Sequence, residues 1–102
     1  MSARALRLLG ADCAVCGKPA TNEHHILYGR QYGARLDVAA NRMALCGSGT
    51  TGCHGAYHLG VYAARVGIGR ALEQRPDVVA FVKLRLGDEA GADYLRRRYQ
   101  YE

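Results

Sequence analysis

The sequence predicts a small α+β domain in which a β hairpin is followed by several helices. Three observations favour this fold class: two close pairs of cysteines, two short apolar stretches beside them, and helical apolar spacing through the second half of the chain. The length of 102 residues fits one domain, whose hydrophobic core alone gives marginal stability. We therefore expect an additional stabilising element, either a metal ion or a second subunit.

The first half of the chain is predicted to contain one helix and two strands. Residues 2–10 have helical apolar spacing and end at a glycine, which is typical of a helix stop. Residues 20–28 are predicted to form a short strand and residues 42–46 its hairpin partner. Residues 29–41 are predicted to be the loop of this hairpin, and a glycine-rich loop over 47–52 follows the second strand.

The second half of the chain is predicted to be helical. Residues 53–67 are expected to form one helix despite their glycines. Two more helices should follow, the first beginning at Pro76, because proline is tolerated in a first helical turn. Gly87 and Asp88 are expected to separate them as a C-cap and an N-cap. The apolar residues of the first of these helices are interpreted as core or as the surface of a homodimer: Val78, Val79, Phe81, Val82, Leu84 and Leu86.

The four cysteines form two pairs, Cys13 with Cys16 and Cys46 with Cys53. Two such pairs about thirty residues apart fit a tetrahedral site for structural Zn²⁺. The six residues inside the second pair are rich in glycine, which permits the chain to fold back. A redox pair of Cys13 and Cys16 is the alternative, but it leaves the second pair unexplained. In a reducing cytoplasm, cysteines indicate metal binding or redox chemistry rather than disulfides.

All four histidines, His24, His25, His54 and His58, lie near the cysteines in sequence. Successive side chains of a strand point to opposite faces, so His24 and His25 are expected to have different roles. His54 and His58 are four residues apart on a predicted helix and share one face, which is a familiar arrangement of metal ligands. A single histidine is more often structural than a ligand, but four of them beside a predicted zinc site favour a second metal site.

The residues C-x2-C, HHI, N, LC and CH-x3-H, which span 13–58, resemble the motif of HNH endonucleases, also called ββα-metal or His-Me finger nucleases. The segment LCGSGTTGCHG is most similar to HNH endonucleases encoded by bacteriophages. The resemblance implies a single domain over 1–102, with a zinc-stapled ββα-metal core over about 13–66 and a C-terminal helical extension over about 70–102. It also implies a metal-dependent DNA endonuclease whose products have 5′-phosphate and 3′-hydroxyl ends.

The resemblance also implies a role for each residue of the motif. It makes His24 a ligand of a catalytic divalent metal, His25 the general base and Asn41 the residue that orients this base. His54 and His58 become further metal ligands. The longer spacing between Asn41 and His54 is confined to the loop within the second cysteine pair, so the motif keeps its register. Many family members have aspartate in place of His24, and an all-histidine site accepts Zn²⁺, Ni²⁺ or Mn²⁺ as well as Mg²⁺.

The charge of the chain favours a polyanionic partner, and the base composition of the source genome is the alternative explanation of its arginine content. The net charge is +5, and twelve of the fourteen basic residues are arginine, a side chain suited to phosphate. Arg30, Arg35 and Arg42 are predicted to contact double-stranded DNA, with Tyr32 stacking on a base. A solvated basic loop is the alternative. The arginines at 96–98 are predicted either to add a second basic patch or to stabilise the end of their helix.

A second class of function also fits the sequence. A zinc-stabilised DNA-binding module without catalysis would use its histidines only for structure. His25 together with Asn41 favours the enzyme, since a binding module needs neither a base nor a residue that holds it. Glu23, just before the histidine doublet, is interpreted as a solvated carboxylate at the end of the strand, and a hydrogen bond that supports a histidine is the alternative. No apolar run is long enough for a membrane span or a signal peptide, so we expect an intracellular, cytoplasmic protein.

Overall fold

The order of helices and strands is taken from a computed structural model that describes residues 2–29 and 36–102. Within these ranges the protein has a two-stranded antiparallel sheet and five α-helices, which confirms the predicted α+β class. In chain order the elements are α1 (Ala3–Leu8), β1 (Asn22–His25), a short 3₁₀ helix (Ala39–Asn41), β2 (Arg42–Leu45), α2 (Gly52–His58), α3 (Tyr62–Leu72), α4 (Pro76–Leu86) and α5 (Asp88–Tyr99).

The register of the hairpin separates the two adjacent histidines. His24 lies opposite Met43, and His25 lies opposite Arg42. Because side chains alternate along a strand, His24 and Met43 share one face of the sheet while His25 and Arg42 share the other. The strands are shorter than the predicted 20–28 and 42–46, and the described chain leaves the sheet after His25.

The hydrophobic core lies between one face of the sheet and the helices of the second half of the chain. Its largest fully buried members come from both halves: Ile26, Leu27, Met43, Leu45, Ile68, Leu72, Val78, Val82, Leu95 and Tyr99. The helices after residue 70 therefore share one core with the hairpin. Helix α3 continues without a break through residues 66–70.

The helical prediction over 53–67 is wrong at one point. The structure has two helices there, because α2 ends at His58 and Gly60 takes a φ of +83°, which is outside the helical region. Two predictions for the last two helices are confirmed: Pro76 begins α4, and Gly87 is the C-cap of α4 with a φ of +95°. The prediction of Asp88 as an N-cap is wrong, because Gly87 caps both helices and Asp88 is already the first residue of α5. Within the described residues, no helix has the length and apolar character needed to cross a membrane.

The apolar residues of α4 serve mainly as core. Val78, Val79 and Val82 are buried, and Phe81 and Leu86 pack partly against them. Leu84, by contrast, is 85% exposed. The prediction that these residues are core is therefore confirmed for most of them, because a helix that packs on one side buries only the residues of that side.

Helices α3 and α5 approach each other closely at Gly69. A Cβ atom at this position would lie 2.0 Å from the backbone carbonyl oxygen of Tyr99, so only glycine fits without a shift of the backbone. This approach brings the end of α5 under the sheet. The side chain of Tyr99 is fully buried there and reaches β1, where the histidine doublet lies.

Candidate metal centre and active site

The four cysteines come together, as their spacing predicts. Cys13 and Cys16 lie in the turn between α1 and β1, Cys46 follows β2, and Cys53 lies in the first turn of α2. Their sulfur atoms are all within 4.8 Å of one another, and Cys16 Sγ is 3.6 Å from Cys46 Sγ. Four sulfurs around Zn²⁺, at about 2.3 Å each, lie about 3.8 Å apart. The cluster therefore fits a tetrahedrally bound metal ion of this size.

The loop inside the second cysteine pair turns back through its glycines. Gly47 has a φ of +88°, and a Cβ there would lie 2.0 Å from the carbonyl oxygen of Thr51. The close return of the chain lets the N–H of Cys53 donate a hydrogen bond to Cys46 Sγ over 3.4 Å. The predicted role of this loop is therefore confirmed.

The electrostatics of the cluster favour a cation at its centre. Burial alone would raise the pKa of the Cys13 thiol, but backbone N–H groups, chiefly those of Cys16 and Cys46, bring this pKa down to about 7. Burial and the neighbouring sulfur atoms raise the pKa of Cys53. Thiolates packed this closely repel one another, and a divalent cation between them removes the repulsion.

Three of the histidines form a second cluster. His24 comes from β1, and His54 and His58 come from one face of α2. His24 Nδ1 lies 3.3 Å from His54 Nε2, and His58 Nε2 lies 3.1 Å from the same atom. Ligand nitrogens around an ion with bonds of about 2.0–2.1 Å lie about 3 Å apart. The three histidines predicted as ligands thus have the spacing that one shared metal ion requires.

Tyr99 fixes the protonation of His24. The hydroxyl of Tyr99 donates a hydrogen bond to the carbonyl oxygen of Ile26 over 2.8 Å, so its oxygen accepts from His24 Nε2–H over 2.9 Å. The proton of the neutral imidazole is then on Nε2, and the lone pair of Nδ1 faces His54. A metal ligand in proteins commonly donates its second N–H in this way. Sequence reasoning missed Tyr99, because 75 residues separate it from His24.

The remaining two ligand candidates also have lone pairs available. Burial lowers the pKa of His54 to about 4, and it lowers the pKa values of His24 and His58 as well. All three imidazoles are therefore neutral near pH 7, which is the form that binds metals. Within the described ranges, His54 Nδ1 is the one buried side-chain polar atom without a hydrogen-bond partner. A cation bound at this cluster would use the three nitrogens that face one another, His24 Nδ1, His54 Nε2 and His58 Nε2, and His54 Nδ1 is not one of them.

A cleft of about 310 Å³ opens at the histidine cluster. His24, His54 and His58 line it, and His25 and Tyr28 lie on its walls. The adjacent side chains of the doublet therefore point to different faces of β1 and yet both reach the same cleft. A substrate bound there would meet the metal ligands and the fourth histidine together.

His25 is held by a carboxylate that the sequence analysis did not identify. His25 Nε2 lies 3.0 Å from Asp37 Oδ1. Hydrogen bonds from His25 and Arg42 lower the pKa of Asp37 to about 2, so the carboxylate is ionised and accepts the Nε2–H. Arg42 donates to both Asp37 Oδ1 and the Asp37 carbonyl oxygen over 3.1 Å.

Asn41 has a different position from the one that the resemblance implies. Its buried side chain accepts from the N–H of Leu27 over 2.8 Å and donates to the carbonyl oxygens of Leu27 and Leu36 over 3.0 and 2.9 Å. These bonds use both atoms of the amide on the backbone. Asn41 therefore holds together the two ends of the loop that follows the doublet, and the ring of His25 is held by Asp37 instead.

Glu23 is buried, which corrects the interpretation of a solvated carboxylate. Arg7 of α1 donates to both of its oxygens, over 2.7 and 3.0 Å. Arg42 and Arg4 lie within 3.6 and 3.5 Å of it. Hydrogen bonds from Arg7 lower the pKa of Glu23, which remains ionised. The missed signal is the pair of arginines in the first helix, whose partner cannot be identified before the fold is known.

The structure describes only some of the residues that were predicted to contact nucleic acid. Arg30, Arg35 and Tyr32 lie outside the described residues. Arg42 is described, and its side chain is 16% exposed because it pairs with Asp37 and Glu23. At the C-terminal patch, Arg96 and Arg97 pair with Asp93, whereas Arg98 lies over the rings of Tyr28 and Tyr94, at 4.6 and 4.8 Å from their centres.

Comparisons with known proteins give no relative. No family model, no curated protein and no solved structure matches this chain. The function is therefore inferred from the two clusters and the cleft.

Proposed function

We propose that the protein is a metal-dependent endonuclease that hydrolyses phosphodiester bonds in DNA. The observation that carries this proposal is the cleft in which three histidine nitrogens converge beside a fourth histidine that a carboxylate holds. The combination is what hydrolysis needs: a site for a divalent ion, a base for the attacking water and room for a phosphate between them.

Each histidine then has a defined task. A divalent metal held by His24 Nδ1, His54 Nε2 and His58 Nε2 would stabilise negative charge on the phosphate and on the leaving oxygen. His25 removes a proton from a water molecule, whose oxygen attacks the phosphorus. The bond from phosphorus to the 3′-oxygen breaks, and this oxygen takes a proton from solvent. The products have 5′-phosphate and 3′-hydroxyl ends.

The arrangement of the elements supports a ββα-metal architecture. His24 and His25 lie on the first strand of a hairpin, and His54 and His58 lie on the helix that follows it. The cysteine cluster joins the turn before β1 to the start of α2. We infer that it binds structural Zn²⁺ and fixes the helix against the hairpin, because a domain of this size gains much of its stability from such a site.

Basic side chains near the cleft support DNA as the substrate. Two cationic side chains lie at the cleft. Arg4 is 46% exposed beside Glu23, which lines the cleft, and Arg98 lies over Tyr28 on its wall. These residues add to Arg30 and Arg35, which remain predictions. Phosphate groups of a double strand, one on each side of the cut, would meet positive charge on this surface.

Cleavage of supercoiled plasmid tests the proposal directly. The protein is prepared with zinc in the cysteine site and without metal at the histidines, and Mg²⁺, Mn²⁺, Ni²⁺ or Zn²⁺ is added in turn. We expect open-circle or linear product that depends on the metal. The ratio of the two products over time distinguishes nicking from double-strand cutting.

His25→Ala is the catalytic control in the same assay. It should abolish cleavage and leave metal binding and DNA binding intact, since His25 is not among the converging nitrogens. No cleavage with any metal, together with a gel shift on the same DNA, would indicate the zinc-stabilised binding module instead.

A further inference from the structure

We propose that Asp37 positions His25 and selects Nδ1 as the nitrogen that takes the proton from water. This inference rests on the proposed function and goes beyond it, because it names the atom that acts and the residue that directs it. Neither Asp37 nor the choice of nitrogen follows from the sequence motif, which points to Asn41.

The geometry of the hydrogen bond leaves one arrangement. An ionised carboxylate only accepts, so the contact of 3.0 Å between His25 Nε2 and Asp37 Oδ1 requires the proton on Nε2. A neutral imidazole has one N–H, and its other nitrogen, Nδ1, then has a lone pair. Within the described residues, Nδ1 of His25 has no hydrogen-bond partner. It is also not among the atoms that are buried without a partner, so it is accessible to solvent, and the ring lines the cleft. The lone pair is therefore available to a water molecule there.

Asp37 is itself fixed, although its side chain is 61% exposed. Arg42 Nη1 binds the Asp37 carboxylate and the Asp37 carbonyl oxygen, both over 3.1 Å, which restrains the side chain and the backbone together. Arg42 lies opposite His25 in the sheet and also approaches Glu23, which Arg7 binds with two hydrogen bonds. A chain of alternating charges thus connects helix α1 to the ring of His25.

Asn41 and Asp37 have different roles: Asn41 holds the backbone of the loop, and Asp37 holds the ring of His25. Asn41 forms hydrogen bonds to the backbone on both sides of the loop, at Leu27 and at Leu36. It therefore fixes the backbone position of Asp37, which follows Leu36. Asp37 then sets the orientation and the tautomer of His25. A base that is free to rotate or to change tautomer would offer its lone pair to water for only part of the time.

Two measurements on Asp37→Ala test this inference. The first is the ¹H–¹⁵N spectrum of the imidazole groups in the zinc-loaded protein, which reports the tautomer without any need for activity. We expect only the Nε2–H form of His25 in the native protein and a mixture of the two exchanging tautomers in the variant. The second is the single-turnover rate of cleavage at saturating DNA, which should fall about 10- to 100-fold, with the DNA dissociation constant unchanged.

Asp77→Ala is the matched control. Asp77 is also exposed and bound by an arginine, Arg75, at 3.0 Å, but it lies at the start of α4 and does not touch His25. It should change neither the tautomer nor the rate. The proposal is wrong if His25 stays exclusively in the Nε2–H form in Asp37→Ala, if the variant keeps the native rate, or if it loses only DNA affinity. If the native protein does not cleave DNA, the proposed function fails, while the spectra still decide whether Asp37 holds the ring.

Discussion

The hydroxyl of Tyr99 decides which nitrogen of His24 is free. It accepts from Nε2 and donates to the carbonyl oxygen of Ile26, so both of its hydrogen-bonding directions are used. Tyr94 donates to the same carbonyl oxygen over 2.7 Å. Two phenols thus converge on one backbone group, and Tyr99 also contacts the predicted metal ligand.

Tyr99→Phe should weaken metal binding at the histidine cluster. Loss of the hydroxyl frees His24 to take the other tautomer, and loss of a partner beyond the ligand typically reduces metal affinity about 10- to 100-fold. Isothermal titration of the zinc-loaded protein with Mn²⁺ measures the change. Tyr94→Phe is the matched control, since it removes the other hydroxyl from Ile26, and its metal affinity should stay close to that of the native protein. Equal losses in both variants would contradict a specific role of Tyr99.

The clustering of the three histidines was predictable, and the residues that hold His24 and His25 were not. His54 and His58 are one helical turn apart, so a helix alone places them together. Asp37 and Tyr99 depend on how the loop and α5 pack against β1, which no local pattern encodes. Asn41 was identified as important, but its contact with the backbone rather than with His25 depends on where the loop returns.

Helix α1 is attached to β1 mainly through Glu23. The helix has six residues and contributes no buried side chain, so packing alone gives it little stability. The two hydrogen bonds from Arg7 to Glu23 connect it to the sheet. Its position therefore depends on the ionised state of one buried carboxylate.

Glu23→Gln should destabilise the protein by about 1.5–3 kcal/mol at pH 7, since hydrogen bonds to charged groups contribute this much. The folded state lowers the pKa of Glu23, so its stabilising contribution is complete above the unfolded pKa of about 4.3 and is lost as the pH falls through the lower folded value. The difference in free energy of unfolding between native and variant protein should thus be constant from pH 6 to 8 and should shrink below about pH 4.5.

Urea titrations of both proteins at the same zinc content measure this difference. Any loss of zinc from the cysteine cluster in acid would affect both proteins alike, so the difference between them isolates the carboxylate. A difference that stays constant down to pH 3.5 would show that Glu23 does not act through its charge.

The cysteine cluster joins three parts of the fold, and Cys46→Ser tests it. The serine oxygen is a poor replacement for a thiolate, so bound zinc should be lost and the melting temperature should fall by more than 10 °C, because a structural zinc site contributes a large part of the folding energy of a small domain. Calorimetry and zinc analysis measure both effects.

Lys18→Ser is the matched control. Lys18 is exposed in the same turn as Cys16, and the variant should retain zinc and keep the native melting temperature. An unchanged melt of Cys46→Ser would exclude the structural zinc.

The ends of the helices show which boundaries can be predicted from the sequence. Pro76 and Gly87 mark boundaries by their own backbone preferences, and both were predicted correctly. The break between α2 and α3 was missed, because the segment 53–67 has several glycines and only Gly60 takes a positive φ that ends a helix. Which glycine does so depends on how α3 packs in the core.

For the domain as a whole, part of the positive charge is neutralised by ion pairs within the protein. Arg7, Arg42 and Arg75 bind carboxylates, so the formal charge of +5 overstates the number of arginines available to DNA. If three to five phosphates are contacted, the slope of log affinity against log salt should be about −2.7 to −4.5. Fluorescence anisotropy with a short duplex between 50 and 200 mM salt measures this slope, using His25→Ala to prevent cleavage. A slope near zero would exclude phosphate contacts as the source of affinity.

The contact between His24 and Tyr99 closes a loop of 75 residues, with consequences for the thermodynamics of folding. A metal that binds tightly only when α5 is docked also favours the docked state, by about 2.7 kcal/mol when its concentration is a hundredfold above its dissociation constant. An ion bound at the histidine cluster would then also stabilise the docked position of the C-terminal helix. Removal of this metal would favour undocking of α5 first, while the cysteine cluster would still hold the hairpin against α2.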